Sequence, residues 1–290
     1  MRKGIILSGG SGTRLNPVTM TISKQLLPVY DKPMIYYPLA VLMEMKIRDI
    51  LIITTPRDID SYRNLLGDGK RWGINFSFCV QQKPSGIAES MIIAQDFLDN
   101  APSVLILGDN IFYGNNLNQN LLKSSLNLNQ ATIFAYRVND PERYGVADFD
   151  KNNNVISIVE KPKNPKSSYA ITGLYFYPQN APEYAKKLKP SKRQELEITD
   201  LNKMYLNEKN LKIEILGEGC AWLDTGTHDS LLDASLFVST IEKRQGIKIC
   251  CPEEIAFKNK WITNKDLEKL IIELNNSSYS DFLKKVINES

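Results

Sequence analysis

Five short runs of apolar and β-branched residues, separated by helical patterns, constrain this chain more than any other feature. They are "KGIILS" (3–8), "DILIITT" (49–55), "INFSFCV" (74–80), "SVLILGD" (103–109) and "ATIFAYRV" (131–138). Between them lie "MIYYPLAVLMEMKI" (34–47), "DIDSYRNLL" (58–66), "IAESMIIAQDFL" (87–98) and "NLNQNLLKSSL" (116–126). Such alternation predicts a mostly parallel sheet covered by helices on both faces. Ligands of such sheets bind beyond the carboxyl ends of the strands. Both "ILSGG" (6–10) and "ILGDN" (106–110) end a strand in small or polar residues, so both are expected to face one cleft.

The middle of the chain reads differently. "GVADFDKNNNVISIVEKP" (145–162) predicts an antiparallel hairpin with an Asn-rich turn, and "YAITGLYFY" (169–177) a further strand. "EITDLNKMYLNE" (197–208) reads as a helix with Thr199 as its N-cap. "LKIEILG" (211–217) and "CAWLDTG" (220–226) read as short strands. From Asp229 an amphipathic helix runs to Gly246, and the remainder looks helical after a loop, "CPEEIAFKNKWIT" (251–263). The expected architecture is α/β: a Rossmann-like, mixed but mostly parallel sheet flanked by helices, with an inserted antiparallel β sub-domain. Residues 1–245 would form the main domain and 246–290 a C-terminal helical extension at an interface or regulatory position.

Composition narrows the chemistry. The chain has 290 residues, a net charge of +3 and no run of Lys or Arg, which argues against a nucleic-acid face. No apolar run is long enough to span a membrane, and no signal peptide is read at the start. The four cysteines, Cys79, Cys220, Cys250 and Cys251, lack metal or redox spacing, so reduced thiols in a cytoplasmic protein are expected. A single histidine, His228, excludes most His-based catalysis and any multi-His zinc site. A bound metal would meet carboxylate oxygens, which favours Mg²⁺.

The run "GGSGTRL" (9–15) suits close approach of backbone N–H groups to phosphate. It is neither a P-loop, because the second required Gly falls on Arg14, nor a dinucleotide fingerprint, because the third falls on Leu15. Arg14 and Lys24 beside a Gly turn suit several phosphates in a row. Asp109 and Asp224 each end a strand, and together they could hold one Mg²⁺ across the cleft. Glu160 and Lys161 end the second hairpin strand, as a surface ion pair or as a hydroxyl acceptor beside a phosphate cation. Attack of a phosphate oxygen on an α-phosphorus needs no general base. It needs charge neutralisation and in-line positioning, which placed Arg, Lys and Asp residues supply.

These motifs resemble the glucose-1-phosphate thymidylyltransferase family of sugar nucleotidyltransferases. The resemblance lies in "GGSGTRLNPVTMTISKQLLPVYDKPMIYYPL", "LGDNIFYG", "DPERYGVADFD", "VEKPKNPKSSYAITGLYFY", "ELEITDLN" and "AWLDTGTHDSLLDAS", and runs from residue 3 to about 285. It implies transfer of a deoxythymidylyl group from dTTP to glucose 1-phosphate, Mg²⁺ dependence and a homotetramer. It implies roles for particular residues. Gly9, Gly12 and Thr13 would lie along the nucleotide, and Arg14 on the leaving pyrophosphate. Lys24, helped by Gln25, would neutralise the reacting phosphates. Gln81 and Gly86 would read the thymine edge, and Asp109 and Asp224 would hold the metal. Asn110, Tyr144, Gly145, Glu160, Lys161, Ile171 and Trp222 would form the sugar-phosphate pocket. UTP in place of dTTP is the nearest alternative, and a sugar-nucleotide sensor without turnover is a second. The family's usual G-R-G-Y-A-W reads "GEGCAW" (217–222) here, and Asn115 and Asn118 stand where histidines are usual. By resemblance, positions 218 and 118 belong to a second nucleotide site, so weaker feedback inhibition is expected.

Overall fold

The structure is a computed structural model and describes residues 1–10, 12–151 and 155–289. The Asn-rich turn expected at 152–154 and Ser11 of the Gly-rich run lie outside the described residues. The strands are β1 (Lys3–Leu7), β2 (Pro28–Val29), β3 (Lys32–Pro33), β4 (Asp49–Thr54), β5 (Asn75–Val80), β6 (Ser103–Leu107), β7 (Asn110–Gly114), β8 (Ala131–Arg137), β9 (Gly145–Phe149), β10 (Val155–Glu160), β11 (Tyr169–Tyr177), β12 (Leu211–Ile215) and β13 (Cys220–Asp224). Among the described residues they build one nine-stranded sheet, whose main path is β10-β9-β11-β6-β1-β4-β5, with β8 paired to β11 and β12 to β8. The half β6-β1-β4-β5 is parallel, while β11 runs antiparallel to β6. The hairpin β9–β10 hydrogen-bonds to this sheet through β11, so the antiparallel part extends the parallel part.

Burial follows from the strand period of two. In β1 and β4, Ile6, Ile50 and Ile52 face one core layer, while Ile5, Leu7, Leu51 and Ile53 face the other. Such strands need apolar side chains at nearly every position, which is why they read as unbroken apolar runs. Helix Tyr36–Glu44 and the C-terminal helices cover the first layer, and helices Glu89–Ile93 and Ile198–Asn207 contribute to the second. Ile255, Leu267 and Leu283 of the C-terminal segment therefore share a core with Ile50 and Trp72.

Two local expectations need correction. Residues 251–263 are not simply a loop, because Pro252–Lys258 is helical. Pro stands in its first turn, followed by Glu253 and Glu254, and Trp72 Nε1 donates to Glu253 Oε1 at 3.0 Å. Thr199 does not cap its helix. Glu197 holds the N-cap position without a side-chain bond, and the Thr199 hydroxyl donates to Glu160 instead. Strand β7 was not legible as a strand and pairs antiparallel with β13 in a separate two-stranded sheet.

Candidate active site

A cavity of about 610 Å³ opens beside the carboxyl end of β6. Ten of the expected residues line it: Arg14, Asp109, Asn110, Tyr144, Gly145, Glu160, Lys161, Ile171, Trp222 and Asp224. The pairing of β7 with β13 explains how two distant segments meet. Its register sets Asp224 opposite Asn110, one residue beyond Asp109. The Thr225 hydroxyl donates to the Asp109 carbonyl at 3.0 Å and fixes that junction.

The two carboxylates differ in environment. Lys24 Nζ lies 2.5 Å from Asp109 Oδ2, and Asn110 Nδ2 donates to Oδ1 at 2.9 Å. Burial alone would raise the Asp109 pKa, but the charge and hydrogen bond of Lys24 outweigh it and hold it below its ordinary value. Burial pushes Asp224 above its ordinary value, and the Asp109 charge adds to the rise. Arg143 Nη2 at 3.2 Å offsets this in part, and Tyr144 Oη stands 3.5 Å from the same oxygen. Two close carboxylates with mutual repulsion suit a hard divalent cation that prefers oxygen ligands. Among the described residues no three His, Cys, Asp or Glu side chains cluster to hold a metal. Phosphate oxygens and water must therefore complete any coordination.

The remaining expected residues, Gly9, Gly12, Thr13, Lys24, Gln25, Gln81 and Gly86, do not line this cavity. Gly9, Gly12 and Thr13 follow β1. Gly12 takes φ 59°, and its carbonyl accepts from Thr19 Oγ1 at 2.8 Å. A short 3₁₀ turn, Lys24–Leu26, carries Lys24 towards Asp109. Gln25 is buried, and its Oε1 accepts from Ser23 Oγ at 2.9 Å. Gln81 ends the β5 edge. Gly86 sits close to Leu196: φ is +105°, and a Cβ would collide with the Leu196 carbonyl oxygen.

In the same cavity, Glu160 is held by two donors. Thr199 Oγ1 donates to its Oε2 at 2.6 Å, and Arg193 Nη2 lies 3.3 Å from its Oε1. Arg193 also pairs with Glu197 at 2.7 Å. Lys161 follows with φ 42°, half-exposed, its Nζ 3.9 Å from Glu160 Oε1. Asn110 Oδ1 accepts from Trp222 Nε1 at 2.6 Å and from the Gly173 N–H at 3.0 Å. The Tyr144 ring meets Trp222 edge-on at 5.1 Å. Arg143, Arg193, Glu197 and Thr199 were missed as cavity residues. Their signal was adjacency: Arg143 precedes Tyr144, and the alternating "RQELE" (193–197) precedes a helix. Glu218 is exposed in the turn before β13, and Asn118 lines a separate pocket of about 170 Å³ with Lys248 and Glu254.

Comparison with known proteins identifies the family. The family model described as nucleotidyl transferase matches residues 3–241. A glucose-1-phosphate thymidylyltransferase of Xanthomonas campestris pv. campestris is 57% identical, covering 97% of this chain and 96% of its own. One from Neisseria gonorrhoeae is 54% identical, covering 98% and 99%. Among solved structures, a candidate glucose-1-phosphate thymidylyltransferase from Bacillus anthracis in complex with sucrose is similar at TM-score 0.76 and 42% identity, covering 82% of this chain and 95% of its own.

Proposed function

The chain belongs to the nucleotidyl transferase family and, within it, to the glucose-1-phosphate thymidylyltransferases; from that premise we propose that it joins dTTP and glucose 1-phosphate into dTDP-glucose and pyrophosphate. The observation that carries the proposal is the convergence of Asp109, Asp224 and Arg14 on a cavity that Glu160 and Lys161 also line, with Lys24 in contact with Asp109. A phosphate oxygen of glucose 1-phosphate attacks the α-phosphorus. A new P–O bond forms as the bond to the β-phosphate oxygen breaks, and pyrophosphate leaves with its charge. No side chain has to take a proton, because the nucleophile is already anionic.

Each residue then has a physical task. Arg14 meets the leaving pyrophosphate with a planar, permanently charged group. Lys24 neutralises charge at the α-phosphate, held in place by Asp109. Glu160, kept in position by Thr199 and Arg193, accepts from sugar hydroxyls. Lys161, with Arg193 beside it, faces the sugar phosphate. Asn110, locked by Trp222, shapes the pocket wall. Gly9, Gly12, Thr13 and Gln25 line the nucleotide path, and Gln81 and Gly86 meet the base. Asp109 and Asp224 would hold a Mg²⁺ ion, which supplies Lewis-acid neutralisation of the reacting phosphates. Action in the cytoplasm, a homotetramer and weak feedback inhibition linked to Glu218 and Asn118 belong to the same reading. Among the described residues no helix is long and apolar enough to cross a membrane.

A pyrophosphate-release assay with glucose 1-phosphate and dTTP tests the reaction, and UTP in competition tests the base. Turnover with UTP alone would replace dTTP in this reading. Binding of both nucleotides without turnover would leave a sensor.

A further inference from the structure

The side-chain amide of Gln81 is held in one orientation. Its Nε2 donates to Glu89 Oε2 at 2.7 Å and to the Gly86 carbonyl at 3.1 Å. Both partners are acceptors. Turning the amide over would set its oxygen against two other oxygens, so the usual ambiguity between amide ends is removed by the neighbours. The backbone is fixed as well, since Gln81 N–H donates to the Thr54 carbonyl at 2.8 Å. Oε1 therefore faces the Gly-rich loop, where an ideal Cβ on Gly9 would lie 2.6 Å from it. It accepts from no donor among the described residues. An acceptor left open beside the Gly-rich loop is available to a ligand that donates.

Resting on the reading of Gln81 as a base contact, we propose that Glu89 is a positioning residue that sets base specificity. By pinning Nε2 it presents Gln81 Oε1 as a fixed acceptor for the N3–H of an imide base, thymine or uracil. Cytosine, whose N3 is itself an acceptor, is turned away. Once a base covers the amide, two facing acceptors would both go unpaired, which discriminates far more sharply than a change in size. The lock does not separate thymine from uracil, because both carry the same imide edge. Glu89 also begins the helix Glu89–Ile93, where a carboxylate favours the N-terminus. That role would alter stability and leave the choice between bases untouched.

The test compares the unmodified chain with Glu89→Gln and Glu89→Ala. Pyrophosphate release is measured with glucose 1-phosphate and either dTTP or dCTP. The unmodified enzyme is expected to prefer dTTP by ~100-fold or more in kcat/KM. Each variant should lower that ratio at least ~10-fold, with the loss on dTTP in KM rather than kcat, because the phosphates are untouched. The Glu89→Gln change keeps the side-chain size but offers either a donor or an acceptor, so it also serves if Glu89→Ala fails to fold. An unchanged ratio in the folded variants overturns the proposal, as does an equal loss with both nucleotides. Calorimetric binding of dTTP and dCTP runs in parallel. Without turnover, the functional reading fails, and the proposal is judged on whether the substitutions narrow the binding ratio. Equal binding of the two nucleotides by the unmodified chain overturns it regardless of activity.

Discussion

Lys24 Nζ and Asp109 Oδ2 stand 2.5 Å apart, so the cation and the carboxylate expected to act on the same phosphates are already in contact. That contact holds the Asp109 pKa below its ordinary value despite burial, whereas burial and the Asp109 charge raise that of Asp224. Lys24 faces the first carboxylate, and Arg143, at 3.2 Å, the second.

Asp109→Asn and Asp224→Asn are therefore expected to lower kcat by at least ~100-fold each while leaving the circular dichroism spectrum unchanged, through lost charge neutralisation at the transition state. Pyrophosphate release with excess Mg²⁺ checks both. Near-normal turnover in either variant would remove that residue from the metal site.

Most of the main sheet was legible because buried parallel strands have to be apolar throughout. Strand β7 was not. Its sequence, Asn110–Gly114, holds the strand formers Ile111, Phe112 and Tyr113, but the run is short, follows β6 after only two residues and pairs with β13 far along the chain. Helix Pro252–Lys258 carried a start signal in Pro252 and two acidic residues, but Trp72 secures it from a distance. Asp109, Asp224 and Arg14 could be named because strand ends and Gly turns mark ligand sites. Thr199 and Arg193 could not, because their task is to hold Glu160, and only the three-dimensional path brings them there.

Lys161→Ala should raise KM for glucose 1-phosphate by roughly 10-fold or more while KM for dTTP changes by less than about 3-fold, because one charge-assisted contact to the sugar phosphate is lost. Initial-rate kinetics with each substrate varied in turn separates the two. An effect confined to dTTP would reverse the assignment of Lys161 to the sugar phosphate.

Asn110→Ala should destabilise the fold. The Asn110 amide oxygen receives both Trp222 Nε1 and the Gly173 N–H. Its loss strands two buried donors, at a cost of roughly 2–4 kcal/mol in total. Urea denaturation followed by tryptophan fluorescence measures this. A loss under about 1 kcal/mol would mean that water replaces the amide oxygen.

The last prediction concerns acid. Lys32, Asp31, Glu242 and Lys248 form a buried cluster that ties the β2–β3 hairpin to the end of helix His228–Gln245 and to residue 248. Lys32 Nζ lies 2.6 Å from Asp31 and 2.9 Å from Glu242, and Lys248 pairs with both acids. Burial raises the Asp31 pKa, but the charges and hydrogen bonds of Lys32 and Lys248 together win, so the carboxyl titrates below its ordinary value of 3.8. A group whose folded pKa is depressed contributes stability above its unfolded pKa and loses it as pH falls through the folded value. The Asp31 contribution is thus complete at neutral pH and fades below about pH 4. Asp31→Asn should cost roughly 1–3 kcal/mol at pH 7, since two buried ammonium groups then share one carboxylate. It should also flatten the fall in stability between pH 5 and 3. Urea midpoints for both proteins across that range decide the matter: parallel curves would show that Asp31 keeps an ordinary pKa and that the acid limb belongs to other carboxylates.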